Sequence, residues 1–489
     1  MKRHLSVLLL LSLIMANLAS CGGSAPSADT TAASGGDPAA ADTTAASDEY
    51  DFPDIDLGGK SFVIANSETG SWGHYYHVDF EEATGDALDD AVFTRNRSLE
   101  EKFNLKLEIF EENIDTLYST LQTAILAGDD MCDIAYVRSN KLATMITDGY
   151  LYDLSTLDGL NLDEDWWDQA VVSNARVGTD RALFFASHYF SLMSFDGSIC
   201  TYFNESMLED LNMDPPYELV RQGKWTLDEM FKYTAAGANL NGDESFAWSD
   251  TGNSIYGLAT WNNGYYGLLY GCNAPFSATD KNGTPSITAG SEHFVDVCEK
   301  LATGLMSKEG EFIEKNTGNT PAHYEEMFRN GRALMLVAQV KTSGKYRDID
   351  DTFGIVPLPK YDTAQKDYIS LMPASCAFMC IPKTNPDAEQ TAKLIDAFSY
   401  VSYRDVLPIY YEVNVSQKGL RNEDSIEMLD IIRKSRVCEI GNIFGWTSTM
   451  QTNIYNKLAA GSGDVMSVID ADKPAAQAAV EATMKLLEE

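Results

Sequence analysis

Tyr202-Phe203-Asn204-Glu205-Ser206-Met207-Leu208-Glu209-Asp210-Leu211, followed by Pro215-Pro216 and Lys224-Trp225-Thr226-Leu227-Asp228-Glu229-Met230, is the stretch that organises the chain. It reads as a strand end, a short helix, a breaker and a second helix. Asn204 is an N-cap residue type, and Glu205 suits the positive end of the helix that follows. Thr226 with Glu229 three positions on forms a capping box, and Trp225 with Met230 a hydrophobic staple. Trp225 is therefore expected to pack, not to serve a ligand.

Upstream of that stretch, Ser61–Ala65 is a β-rich run opening the folded body. The loop after it crowds Trp72, His74, Tyr75, Tyr76 and His77 into six positions. Leu88, Val92, Leu99 and Phe103 recur at helical spacing, predicting a helix that ends near Asn104. Leu105–Phe110 alternates as a strand, Leu117, Leu121 and Ile125 mark a helix stopped by Gly128, and Cys132–Val137 is a buried strand. Strand, helix, strand, helix, strand is the rhythm of an α/β lobe with a largely parallel sheet. In such sheets sites form at the carboxyl edge of the strands. Trp166-Trp167-Asp168 reads equally as an edge cluster or as part of a site.

Downstream, Trp261, Asn262, Asn263, Gly264, Tyr265, Tyr266 and Tyr270 interleave aromatics with amides, a composition suited to sugars. Rings stack on the apolar faces of pyranoses while amides bond the hydroxyls. Asn239-x-Asn241-x-Asp243, with Asp250 at the twelfth position, reads either as a calcium loop or as an ordinary polar turn. Its Gly falls at the fourth position, not the sixth, and the terminal Glu is replaced by Asp.

The strand end near Tyr-Asn, Leu-rich short helix, Pro-Pro and Trp-Thr-x-Asp-Glu together resemble a signature of the family 1 extracellular solute-binding proteins, receptor subunits of bacterial ABC importers. Tyr217–Gly223 is an insertion relative to that pattern. Met327–Val337, a helix ending in Asn-Gly before a buried strand, resembles a second hallmark, and Phe353–Lys360, with Gly-x-x-Pro-Leu-Pro, a third.

The resemblance implies an α/β, two-lobed periplasmic-binding-protein-like fold, each lobe a sheet flanked by helices, with a hinge and a ligand cleft between. It places 53–197 and about 372–407 in the first lobe, and about 198–371 and 408–489 in the second. Asn385–Glu389 would start a helix of the first lobe. Ligand contacts come from the loops after the first and third strands, from the hinge near Asp196, and from Gln339 or Lys341. With the aromatic loops, it implies a carbohydrate, an oligosaccharide in particular. The expected contacts are Trp72, Tyr75, Tyr76, Trp261, Tyr265 and Trp446 for stacking, with Arg138, Asp196, Asn262 and Gln339 for polar bonds. The expected partners are the solute and the transmembrane permease subunits, with the receptor a monomer and no cofactor.

Residues 1–21 read as a processing signal: basic Lys2 and Arg3, an apolar Leu5–Ala16, then Leu18-Ala19-Ser20-Cys21-Gly22. That last run resembles the bacterial lipobox, in which the Cys21 thiol takes the lipid; the other reading is a plain secretory signal with an incidental cysteine. Lipidation would place the protein on the extracellular face of the cell membrane, in contact with it through the anchor alone. Residues 22–52 are low-complexity linker, with Ala-Asp-Thr-Thr-Ala-Ala-Ser at 28–34 and again at 41–47. Such a chain spans about 30 Å root-mean-square.

The formal charge of −37 argues against nucleic-acid binding, since a phosphate backbone would be repelled. Seven cysteines beyond Cys21, mostly within apolar runs, read as buried thiols, not as a disulfide framework. Cys376-x-x-x-Cys380 lacks a His partner at zinc spacing, and His74-x-x-His77 is too short a metal signal alone. No nucleophile elbow, phosphate loop, zinc-protease or dinucleotide motif occurs. A carboxylate pair among 73 acidic residues leaves a secreted glycan hydrolase or lyase as an alternative, and a glycan adhesin as another.

Overall fold

The computed structural model describes residues 50–70, 73–178, 180–246, 251–310, 312–314, 323–346, 348–373, 375–416 and 423–488. The signal, Cys21 and the linker up to residue 49 lie outside them, as do Trp72 and Asp250. Asp51–Glu489 forms one compact unit. Its strands among the described residues are β1 Ser61–Glu68, β2 Lys106–Asn113, β3 Ile134–Arg138, β4 Ile199–Asn204, β5 Tyr256–Thr260, β6 Ser277–Thr279, β7 Pro285–Ile287, β8 Phe312–Glu314, β9 Ala333–Gln339, β10 Phe353–Val356, β11 Ser370–Leu371, β12 Ala377–Cys380 and β13 Arg436–Val437.

Two sheets carry the two lobes. The first has the order β12-β3-β1-β2, with β1 parallel to both β2 and β3 and β12 antiparallel to β3. The second has the order β10-β4-β9-β5-β8, with β5 parallel to β8 and β9, and β4 antiparallel to β9 and β10. The βαβαβ rhythm thus closes as expected. Helix Ala87–Phe103 ends at Asn104, which takes the left-handed conformation at φ 47°, and helix Leu117–Ala127 ends at Gly128, φ 74°. Both residue types tolerate positive φ, so each helix stops where the chain must turn back into a strand.

The chain returns to the first lobe through β12 and helix Ala388–Asp405, which packs on helix Ala87–Phe103. Helix Leu407–Ser416 joins them there, and Leu88, Val92, Tyr189, Leu192, Phe195, Val406, Leu407, Tyr410 and Val413 form one buried cluster. Helix Glu423–Lys434 then packs on β10 of the second lobe. Trp166 and Trp167 both donate their indole N–H to Asp396 Oδ1, at 3.0 and 2.7 Å, so this pair fastens helix Ala388–Asp405.

The organising stretch folds largely as read. Asn204 ends β4 and caps the next helix, its side chain accepting from the Met207 N–H at 2.9 Å. Trp225 is fully buried, with Nε1 on the Pro357 carbonyl at 2.9 Å. The insertion forms its own short helix, Tyr217–Arg221. The capping box does not form: Thr226 is the N-cap in extended conformation, but its side chain makes no capping bond. The reason is tertiary. Thr226 bridges Lys360, whose carbonyl takes the Leu227 N–H at 2.8 Å, and Glu229 turns outward to Lys232. All seven cysteines of the body are free and buried.

Candidate functional site

Parallel pairing puts the ends of β1, β2 and β3 on one edge of the first sheet, and the ends of β5 and β9 on one edge of the second. The antiparallel strands bring the lobe crossings to those same edges. Ile199, opening β4, faces Gln339 at the end of β9, while Ala377, opening β12, faces Arg138 at the end of β3. The Gln339 side chain spans the two crossings, Nε2 reaching Gly197 O at 3.2 Å and Ser375 Oγ at 3.4 Å. Gly197 is there because nothing larger fits: a Cβ would lie 2.4 Å from Cys376 Sγ.

Asp196 anchors the first crossing. It is 1% exposed, and Oδ2 accepts the Tyr75 N–H while Oδ1 accepts the Tyr410 hydroxyl, each at 2.7 Å. Both oxygens of the buried carboxylate are thereby used, as burial requires. Burial lowers Lys341 to about 8, with the Asp196 charge pulling the other way, so it stays an ammonium at neutral pH. Burial, and then the Lys341 charge, lowers His74 to about 3 and keeps its imidazole neutral. Its Nδ1 completes no hydrogen bond within the protein. Behind Asp196, Arg436 pairs with Asp168 at 2.9 Å, both 2% exposed, and lies 3.6 Å over the Phe195 ring.

On the first lobe, Tyr76 follows β1 and is half-buried, its carbonyl accepting Asn66 Nδ2 at 3.0 Å. Burial, then Glu111 and Glu68, raises its hydroxyl pKa, which places both carboxylates beside it. Arg138, at the end of β3, pairs with Asp115. Tyr75 gives its hydroxyl to Asp89 Oδ1 at 2.8 Å and supports the loop through its backbone.

On the second lobe, Trp261 follows β5 directly, and its ring stacks on Tyr324 with centroids 5.3 Å apart and planes 7° apart. Gly264 permits this, because a Cβ there would lie 2.9 Å from the indole and 2.0 Å from Thr260 Oγ1. Asn262 Oδ1 accepts its neighbour's N–H at the start of helix Asn262–Gly271. Tyr265 is 1% exposed and packs edge-on to Tyr455. Trp446 stacks on Phe444 at 5.0 Å and donates Nε1 to Thr483 Oγ1 at 2.9 Å.

Of the residues proposed from sequence, Tyr75, Asp196 and Gln339 therefore meet at the crossings, together with Lys341. Trp261 and Asn262 share the carboxyl edge of the second sheet with Gln339. Tyr76 and Arg138 stand on the facing edge of the first sheet. Trp261, Tyr265 and Trp446 are all buried, at 8%, 1% and 5% exposed, the last two away from the crossings, and Trp72 lies outside the described residues. Tyr324, Tyr410 and Ser375 were not foreseen, because each acts on a partner far away in sequence. At the suspected calcium loop, Asp243 Oδ2 accepts the Asn253 and Ser254 N–H groups, each at 2.7 Å, and Asn239 Oδ1 accepts the Asn241 N–H at 2.8 Å. These side chains close the turn on itself.

A model of the family described as bacterial extracellular solute-binding protein matches residues 96–400. The chain belongs to that family. No match is found among curated proteins. Among solved structures, the solute-binding protein is similar to a cyclic alpha-maltosyl-1,6-maltose binding protein from Arthrobacter globiformis, with TM-score 0.59, 11% identity and coverage of 87% of this chain and 100% of that one. It is also similar to an ABC substrate-binding protein from Listeria monocytogenes in complex with cycloalternan, with TM-score 0.52, 15% identity and coverage of 88% and 99%. The maltose-binding periplasmic protein of Listeria monocytogenes in complex with maltose gives TM-score 0.53, 13% identity and coverage of 88% and 98%. At these identities the likeness is one of fold. It is the two-lobed architecture that the sheets and crossings describe.

Proposed function

We propose that this solute-binding protein captures a carbohydrate, an oligosaccharide in particular, between its lobes and delivers it to an ABC permease, held at the extracellular face of the membrane by lipid on Cys21. The observation that carries the reading is the Trp261–Tyr324 stack beside Gln339, on the carboxyl edge of the second sheet. An aromatic face next to amide and charged donors is the combination a pyranose needs, apolar on its faces and hydroxylated at its rim. Across from it, Tyr76 with Glu68 and Glu111, and Arg138, supply a further ring and polar groups from the first lobe. The neutral His74 offers Nδ1 as an acceptor, and Lys341 a cationic donor. Three similar structures bind or hold malto-oligosaccharides or related cyclic glucans by their descriptions, which agrees with this choice.

Ligand touching both edges stabilises the arrangement in which they face each other, and so shifts the hinge equilibrium at the Asp196 and Cys376 crossings. Binding without turnover is part of the proposal. The test is thermal unfolding of the full-length chain against mono- and oligosaccharides. Ligand at about a hundred times its dissociation constant adds roughly 2.7 kcal/mol and raises Tm by several degrees. A rise with one glycan class, and intact glycan after hours of incubation, is the expected result. No rise with any glycan, or release of reducing ends, overturns it.

A further inference from the structure

A second cavity, of about 180 Å³, lies between the lobes away from the site just described; none of Asp196, Trp261, Gln339 or Lys341 lines it. One wall is Arg176 and Arg181, in the turn after helix Gln169–Asn174 of the first lobe. The other is Thr279, at the end of β6, with Tyr270 and Glu439. The two walls are held in register by contacts of their own. Arg181 donates Nη1 to the Lys281 carbonyl at 2.6 Å, and a Cβ on Gly283 would fall 2.2 Å from the Gly178 carbonyl oxygen.

What marks this cavity is how its arginines are presented. Val177 and Ala182 bridge, and the Arg181 N–H closes the turn between them onto the Gly178 carbonyl at 3.0 Å. Arg181 takes φ 54° there. The other four non-glycine residues at positive φ among those described, Asn104, Asn212, Asn241 and Asn273, are asparagines, which accept that conformation with little strain. An arginine does not. The fold bears strain to keep a guanidinium at a position where glycine would serve the turn better. Acidic residues outnumber basic ones 73 to 36, yet neither Arg176 nor Arg181 pairs with a carboxylate among the described residues. Each gives Nη1 to a carbonyl, that of Arg181 and that of Lys281, which leaves Nε and Nη2 on both.

The two carboxyl groups that line the cavity are committed elsewhere. Asp280 turns back onto the Asn282 and Thr284 N–H groups. Glu439 accepts from the Ser277 and Tyr270 hydroxyls and from the Asn442 and Gly441 N–H groups. Thr279 Oγ1, by contrast, is buried with no partner in the protein. The cavity thus offers donors that the chain leaves unanswered, two guanidinium forks on one wall and a hydroxyl on the other.

We infer that this cavity binds a small organic carboxylate, its planar head on Arg176 and Arg181 and its other end toward Thr279. The guanidinium fork matches a carboxylate in shape as well as in charge. At roughly 15 Å³ per water the void holds about a dozen, room for an acid of about four to ten non-hydrogen atoms. Because the donors stand on both lobes, occupancy favours the arrangement in which the two walls meet.

The proposal does not rest on the carbohydrate reading, and it is tested with no glycan present. Thermal unfolding of the full-length chain is followed with lactate, succinate and inorganic phosphate, at an ionic strength held constant with sodium chloride. Lactate or succinate at about a hundred times its dissociation constant should raise Tm by several degrees, and calorimetric titration gives the affinity. Arg176→Gln should weaken that affinity at least about tenfold. Arg181→Gly should do the same while folding without the anion as firmly as the wild type, since glycine is at home at φ 54°. That outcome separates a binding arginine from a structural one. Arg176→Gln leaves the turn untouched and decides the matter if Arg181→Gly does not fold. Silence with both acids, a response to phosphate alone, or an affinity unchanged in either variant overturns the proposal.

Discussion

Two carboxyl groups, Asp196 and Glu439, are buried where the lobes meet, and their surroundings differ. Asp196 has both oxygens engaged, by a backbone N–H and a tyrosine hydroxyl, with a lysine charge nearby. Glu439 is held by hydroxyls and backbone N–H groups, those of Ser277, Tyr270, Asn442 and Gly441, and burial raises its carboxyl to about 7. The first group is fastened as an ion beside a cation; the second is fastened by neutral donors. Burial alone does not distinguish them; the charge beside each does.

The largest effect should come from taking away the fastening. Asp196→Ala strands the Tyr75 N–H and the Tyr410 hydroxyl and removes the counter-charge of Lys341. Removing one partner of a buried ionic network costs about 3–5 kcal/mol, which urea unfolding will register as a lower midpoint. A loss under about 1 kcal/mol would mean that Asp196 supports nothing, and would dissolve the contrast.

A similar division holds among the tryptophans. Trp446→Ala empties a packed position against Phe444 and should cost about 3–5 kcal/mol of stability, with carbohydrate affinity little changed. Trp261→Ala should instead weaken carbohydrate binding by about 1–3 kcal/mol, ten- to a hundredfold, beyond its effect on unfolding. Affinity lost in both, or in Trp446→Ala alone, would move the aromatic seat to the other end of the second lobe.

The two regions also differ in how legible they were. The first sheet, the Asn204 cap and the burial of Trp225 are local matters of spacing and residue type, and the sequence carried them. The meeting of Asp196 with Tyr410 joins residues 214 positions apart, and the pairing of Trp261 with Tyr324 depends on how a helix lies across β5 and β9. No local pattern encodes either. The Thr226 capping box failed for the same reason, because Thr226 is held in a bridge to the distant Lys360 and Glu229 turns to Lys232. Aromatic crowding pointed to Trp261 and to Tyr265 alike; both are buried, and place separates them, Trp261 at the carboxyl end of β5 and Tyr265 within the helix that follows. The Glu439 cavity left no trace in sequence, because its walls come from four separate segments.

Proton linkage sharpens the contrast further. His74, held at about 3 when folded against 6.5 when free, binds fewer protons in the folded state between those values. Stability from this group is complete above pH 6.5 and is lost as pH falls toward 3, at about 1.4 kcal/mol per unit. His74→Asn should flatten that part of the acid limb in a series of urea titrations. An unchanged limb would show that the imidazole is not buried neutral at the crossing.

Glu439 should do the reverse, over a narrower range. Burial raises its carboxyl to about 7 from an ordinary 4.5, so the folded state binds the extra proton between those values. Its contribution is complete below pH 4.5 and declines as pH rises through 7, again by at most about 1.4 kcal/mol per unit. The difference in stability between the wild type and Glu439→Gln should therefore fall across that window. A difference that stays flat across that window would show that the Glu439 carboxyl is not buried as the fold has it.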